Sequence, residues 1–307
     1  MDYLWILASI TAAFFQSLRL GALKELNRTL SISVTSYVRV LFGLPFMLVY
    51  LLGLLLATGQ PLPPASPRFL ICSCAAALGQ FAGTAVLVRL FQIGNFAVGT
   101  MLQKTDVLMT AIIGSLLFSE VITAGGWLAI LVTAAGVTLI SAGRLPAGAE
   151  AVSKLQVSEL LFGRTTRIGL MTGLLFGLSY LFLREAILTL DPAIGPLLRS
   201  AFAAVAMTAW SFVILGVWLL LFEREGLKRV RDSMGLCTFL GLTSALGTMF
   251  WFFASALANV SYVAAVAQVQ TVFTLAISWF YFGERIGKLE LAGIAVIVAG
   301  LLLFRAI

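Results

Sequence analysis

Apolar residues run along this chain in long, almost unbroken blocks separated by short polar or proline-marked breaks. The blocks cover roughly 3–22, 31–57, 68–91, 95–118, 122–143, 167–188, 193–222, 235–257, 260–282 and 287–306. Each is near the roughly 20 residues that a helix needs to cross a bilayer, so the pattern predicts ten transmembrane helices. The first block begins Met1-Asp2-Tyr3 with no basic region and stays apolar to about Leu18. That is too long for a removable signal and reads as the first span. Leu62-Pro63-Pro64 and Pro67 mark the second break. The longest connection is 144–166, within which Ala149–Phe162 is weakly amphipathic and reads as an interfacial helix.

Composition turns this pattern into an exclusion. Of 307 residues, 61% are hydrophobic and 11% charged, against about 45–50% and about 25% in soluble domains. A mean hydropathy of +1.05 excludes a soluble enzyme, a nucleic-acid-binding module and a disordered scaffold. The net charge of +7 then points to loops facing anionic lipid rather than to nucleic acid. There is no His, which removes imidazole metal sites and Ser–His or Cys–His catalytic pairs. Cys72, Cys74 and Cys237 lie in apolar surroundings and read as buried, reduced thiols. No G-x-x-x-x-G-K-[ST] tract occurs, so no bound nucleotide, and no cofactor of any kind, is expected.

The two halves repeat. A shift of 164 residues lays Asn95 on Asn259, Phe118 on Phe282, Glu120 on Glu284 and Gly136 on Gly300, and Gly83-Thr84 on Gly247-Thr248. A shift of 160 lays Arg39 on Arg199 and Phe42 on Phe202. The chain therefore divides into a first five-span repeat (1–143), a connecting segment (144–166) and a second five-span repeat (167–307). An odd number of spans per repeat turns the second copy upside down relative to the first. Inverted repeats are a recurrent plan for secondary transporters, with the binding site between the copies near the midplane. Two tracts carry a family likeness: Leu117-Phe118-Ser119-Glu120 with Gly136-Val137-Thr138-Leu139-Ile140, and Tyr281-Phe282-Gly283-Glu284-Arg285 with Gly300-Leu301-Leu302. In these tracts, and in the paired Arg39 and Arg199, the chain resembles the EamA-type group of the drug/metabolite transporter superfamily over nearly its whole length. The resemblance implies an all-α, ten-span fold and transport. It leaves the substrate open.

Ionisable groups inside a span usually face the protein interior. The fourth span holds Gln103, Lys104 and Asp106. At 100° per residue its large apolar side chains gather on one side, while Asn95, Gly99, Thr100, Gln103, Thr110, Ala111, Gly114 and Ser115 gather on the other. Lys104 and Asp106 stand on opposite flanks of that small, polar face and border one cavity without pairing directly. In the ninth span Gln268 takes the place of Lys104, and Gln270 that of Asp106. An asymmetric site suits a substrate with two distinguishable ends: Lys104 for a carboxylate or phosphate, Asp106 for an ammonium or a coupling proton. The alternative is structural pairing with Arg39 or Arg199. Those two arginines are themselves either substrate ligands or snorkelling and interhelical hydrogen-bonding groups. Gln16 and Gln80 are candidate cavity hydrogen-bonders. Trp251, in Phe250-Trp251-Phe252-Phe253, is either a cavity wall or an interfacial anchor. Glu120 and Glu284 at helix junctions read as caps of the next helix. Gly169, Gly173 and Gly177 read as a close-packing ladder.

With ten spans, three basic residues (Arg68, Arg184, Arg305) fall on the side of the termini and fourteen on the other, Arg19 and Arg89 among them. The positive-inside rule then places both termini outside the cytoplasm, whereas the family resemblance implies termini inside. The expected protein is a multi-pass transporter of a bacterial inner membrane. It moves a small polar metabolite, an amino acid or related organic solute, by alternating access, with possible proton coupling at Asp106 left as an open alternative. A transporter of a phosphate-bearing lipid or sugar conjugate is the second expectation, and a membrane-embedded lipid-modifying enzyme a remote third.

Overall fold

The structure, a computed structural model, describes residues 3–93, 104–143, 164–223, 229–231, 233–282 and 287–304. The expected interfacial helix at Ala149–Phe162, the junction carboxylate Glu284 and the candidate Gln103 lie outside the described residues. The helices are α1 (Leu4–Leu26), α2 (Ile32–Thr58), α3 (Pro67–Ile93), α4 (Asp106–Leu117), α5 (Ala124–Gly143), α6 (Arg164–Leu188), α7 (Pro196–Phe222), α8 (Met234–Leu257), α9 (Val260–Val266), α10 (Gln270–Phe282) and α11 (Lys288–Phe304). A single 3₁₀ turn, Ala267–Val269, joins α9 to α10. Among the described residues there is no strand.

Eight helical stretches are long and apolar enough to cross a membrane, counting Val260–Phe280 across its 3₁₀ turn as one, and Asp106–Leu117 is a shorter apolar helix. The expected fourth span is described only from Lys104 onward, and the expected tenth is α11, 17 residues long. The outer surface is what lipid requires: Leu56, Phe280 and Leu116 are each at least three-quarters exposed. Local chemistry sets several helix ends. Ser31 accepts a hydrogen bond from Val34 N at 3.2 Å and caps α2. Gly59, at φ 63°, closes the same helix in the left-handed conformation.

Packing follows the repeat. Helix α3 packs on α6 as α8 packs on α1; α4 packs on α6 as α10 packs on α1; α2 packs on α8 as α7 packs on α3. Helices α5 and α11 pack on each other, as do α2 and α7. The α5–α11 contact is reciprocal. A Cβ added at Gly136 would stand 2.8 Å from Ile297 N, and one at Gly300 would stand 3.1 Å from Thr133 N. Each glycine meets the residue 164 positions from its partner's contact, so the two helices approach backbone to backbone through a two-fold-like pair of notches. All three cysteines are free, with Cys72 and Cys237 buried.

Candidate functional site

A cavity of about 500 Å³ lies between the repeats. From the first repeat it takes Gln16, Arg19, Gln80, Lys104 and Asp106; from the second, Tyr180, Trp251, Gln268 and Gln270. Seven of the ten candidate residues thus line one space. A smaller adjoining pocket of about 130 Å³ shares Gln16, Arg19, Gln80, Tyr180 and Trp251 with it and adds Arg39. Arg199 is in neither. It stands in the first turn of α7, where its backbone N–H donates to Gly195 O at 3.2 Å, so it is shallower in its helix than Arg39 is in α2. Trp251 is buried in the bundle at 9% exposure and packs on Tyr180 with ring centroids 5.2 Å apart.

The polar groups gather at the starts of two helices. Lys104 and Thr105 form a turn, and α4 begins at Asp106. In the second repeat the 3₁₀ turn Ala267–Val269 precedes α10, which begins at Gln270. Asp106 and Gln270 are repeat equivalents, and each is the first residue of a helix. Asp106 is buried and held: Val107 N donates to Oδ1 at 2.8 Å, and Tyr180 Oη donates to Oδ2 at 3.5 Å. Lys104 is close enough to Asp106 to act on it electrostatically, but no ion pair joins them among the described residues. The glycine ladder explains the depth of this turn. A Cβ at Gly173 would stand 2.6 Å from Thr105 Oγ1, and one at Gly177 would stand 3.1 Å from Thr110 N. Beside the second turn the Ser17 hydroxyl donates to Ala13 O of its own helix at 2.8 Å and shares that proton with Gln270 O at 3.1 Å. Gln268 is buried; its Nε2 donates to Ala264 O at 3.5 Å and its Oε1 has no partner among the described residues.

The cavity is off-centre. Its α1 residues lie in the second half of that helix, Arg39 in the first third of α2, and Ile140 and Ser141 near the end of α5. All of these positions lie toward the end of the bundle away from the N-terminus. The other end is bound shut across the repeats. Glu120 does not cap its own next helix, α5, which uses Thr123 Oγ1 for Gly126 N at 3.0 Å. It caps α9 of the second repeat instead, accepting from Val260 N at 2.8 Å, Ser261 N at 3.4 Å and the Ser261 hydroxyl. Arg184 stands 3.7 Å from the same carboxylate and donates to Ala258 O at 3.0 Å. Asn259 Nδ2 donates to Val121 O at 3.0 Å, and Thr123 N donates to the Tyr262 hydroxyl oxygen at 3.0 Å. Arg68 and Glu185 pair at the same end.

Sequence reasoning missed Arg19 and Tyr180. Arg19 had been placed among the loop charges, because a 20-residue span ends near it; α1 runs on to Leu26 and carries Arg19 into the cavity. Arg184, likewise placed in a loop, is inside α6. Tyr180 carries no local mark: it is one aromatic in an apolar run, and only its contact with Asp106 distinguishes it.

A bundle with lipid-compatible outer faces, a polar cavity between two packed repeats and one end sealed across them is the architecture of an integral, multi-pass membrane transporter. The chain belongs to the EamA-like transporter family, whose profile matches twice, over residues 3–142 and 167–306. No match was found among curated proteins. A solved crystal structure, described only as that of a protein, is similar at a TM-score of 0.74 and 11% identity, covering 99% of this chain and 96% of that one. That likeness supports the fold and nothing finer.

Proposed function

We propose that the chain is a secondary transporter with ten spans in two inverted five-helix repeats, moving a small polar solute by alternating access. The observation that carries this reading is the off-centre polar cavity opposite an end closed by Glu120, Arg184, Asn259 and Tyr262. Alternating access needs one end shut by contacts that can re-form at the other end, and an inverted second repeat supplies the equivalent parts. Amino acids and related organic solutes fit the Lys104 and Asp106 asymmetry. Taking Arg19 and Arg184 out of the loops changes the basic count from fourteen against three to thirteen against two, a bias that still supports both termini outside the cytoplasm. In that orientation the cavity opens inward.

A second reading has one specific observation in its favour. A pocket of about 250 Å³ between α2, α3 and α7 reaches Arg39 and Gln80 past the apolar side chains of Ile32, Phe81 and Trp218. Ile32 and Trp218 are more than two-fifths exposed on the lipid-facing surface. A phosphate-bearing lipid would place its acid group at Arg39 and its tail in that pocket.

Counterflow in proteoliposomes tests the transport reading. Vesicles loaded with unlabelled solute and diluted into traces of labelled solute show a transient overshoot if the protein is a carrier, and none if it is a channel or an enzyme. The panel covers amino acids, carboxylates and phosphate esters. Passive equilibration with no overshoot for any solute that stabilises the protein overturns the proposal.

A further inference from the structure

Arg19 on α1 and Arg39 on α2 both line the pocket next to the main cavity. Their guanidinium groups act on one another electrostatically. Among the described residues neither side chain has a hydrogen bond or an ion pair, and Arg19 Nε is buried without any partner. Both arginines are half-buried in the pocket wall, and two guanidinium groups sharing a confined space with no counter-charge are costly. A fold that retains them holds an incomplete site.

The surroundings show what completes it. Gln16, Gln80 and Thr248 offer neutral donors in the same pocket, while the Ser211, Ser244 and Tyr180 hydroxyls already donate to Met207 O, Leu240 O and Asp106. The nearest carboxylate lining the joined spaces is Asp106, which already accepts from Val107 N and Tyr180 Oη and has Lys104 as its cation. With Lys104 set against Asp106, the two arginines remain as unmatched positive charge. Arg199 also has no partner among the described residues but lies outside both pockets, so Arg19 and Arg39 are the unpaired arginines that share one space.

We propose that Arg19 and Arg39 form the acid-group subsite of the substrate, which is a solute or lipid headgroup carrying a carboxylate or phosphate and net negative charge. The guanidinium fork matches both acid groups bidentately, and hydroxyl and amide donors around it complete their coordination. Lys104 and Asp106, which line the main cavity but not this pocket, are left for the other end of the same molecule. This assignment rests on the transport reading only in treating the ligand as cargo; binding is measurable without transport.

The test is thermal unfolding of the purified full-length protein in detergent at fixed ionic strength, with succinate, glycerol phosphate, lysophosphatidate and glycine as separate probes. A ligand that binds only the folded state raises the midpoint by mass action. The expected result is a rise with succinate or with a phosphate probe and a smaller one with zwitterionic glycine at the same concentration. A rise with lysophosphatidate alone identifies the lipid as the source of the acid group; a rise with glycerol phosphate or succinate identifies a soluble one. Arg19→Gln and Arg39→Gln should each weaken that binding about tenfold or more, the loss of a charge-assisted hydrogen bond, while Arg39→Lys keeps part of it. Should the glutamine variants not fold, the lysine variants Arg19→Lys and Arg39→Lys carry the comparison with the same expected direction. No stabilisation by any anion, stabilisation by glycine alone, or anion stabilisation unchanged in the variants overturns the subsite. Counterflow of glycine with wild-type affinity in Arg39→Gln would overturn it while leaving the carrier intact. Anion binding without counterflow would leave the subsite standing and remove the carrier.

Discussion

The two fourth spans each begin a helix at the same repeat position and differ in chemistry. That position is Asp106 in one repeat and Gln270 in the other, and in both the helix packs on the first helix of the other repeat. The first of these turns carries a cation and a carboxylate, and the carboxylate is held by a backbone amide and a tyrosine. The second carries two amides that line the cavity, one with a buried oxygen that has no partner among the described residues. In the proposed alternating-access cycle the shared backbone plan lets each copy do what the other does, and the chemical asymmetry suits a bound molecule with distinct ends. The neutral copy is also the less demanding one to bury, since each charge within a span costs roughly 2.5–3.5 kcal/mol on insertion scales.

The sharpest way to break the comparison is to neutralise the charged copy. If Asp106 carries a coupling proton, Asp106→Asn removes gradient-driven accumulation, about tenfold or more by the linkage between ion and solute, and leaves exchange intact. Lys104→Gln makes the first copy resemble the second and is expected to weaken binding while accumulation survives. Proteoliposome uptake with and without an imposed pH gradient separates the two. Full gradient-driven uptake by Asp106→Asn would make the carboxylate structural.

The converse substitution charges the neutral copy. Gln270→Asp, with no cation at position 268, is expected to lower stability by about 2–3 kcal/mol, and adding Gln268→Lys should recover part of it. Thermal unfolding in detergent reads both; equal losses for the single and double variants would show that the two positions do not interact. Packing behind the start of α4 comes next. Gly173→Ala places a Cβ at 2.6 Å from Thr105 Oγ1 and 3.1 Å from Asp106 N, which should cost about 1–3 kcal/mol as overpacking and weaken solute binding along with it. Unchanged unfolding and binding would mean that α4 yields freely. The smallest effect belongs to the second turn: Ser17→Ala removes the hydroxyl whose proton is shared between Ala13 O and Gln270 O, at no more than about 0.6 kcal/mol, the average hydrogen bond in a membrane bundle. A larger loss would show that the second copy depends on this bond more than its geometry suggests. Orientation is checked separately by single cysteines at Ala149 and Gly226 in a background without Cys72, Cys74 and Cys237. With both termini outside, an impermeant maleimide labels neither site in intact cells; strong labelling of both reverses the assignment.

Much of this protein was legible in one dimension. Long apolar blocks in a chain with few charges can only be spanning helices, because an unpaired backbone in lipid is too costly for any other open structure. The repeat was legible because a shift of 164 residues aligns Glu120, Gly136 and their counterparts without a gap. The polar face of the fourth span was legible because a charge inside a span is rare enough to stand out. Tertiary structure alone decided which of those groups share a space. It joined Gln16, Gln80, Lys104, Asp106, Trp251, Gln268 and Gln270, left Arg199 outside, and brought in Arg19 and Tyr180. It also sent Glu120 across to the second repeat rather than to its own neighbour. No Gly or Pro marks the turn Ala267–Val269, so nothing local announces that interruption. Hydrophobicity is a property of each residue and survives in the sequence. A cavity, a cap between repeats and a broken helix are properties of how distant faces meet, and they exist only once the bundle has packed.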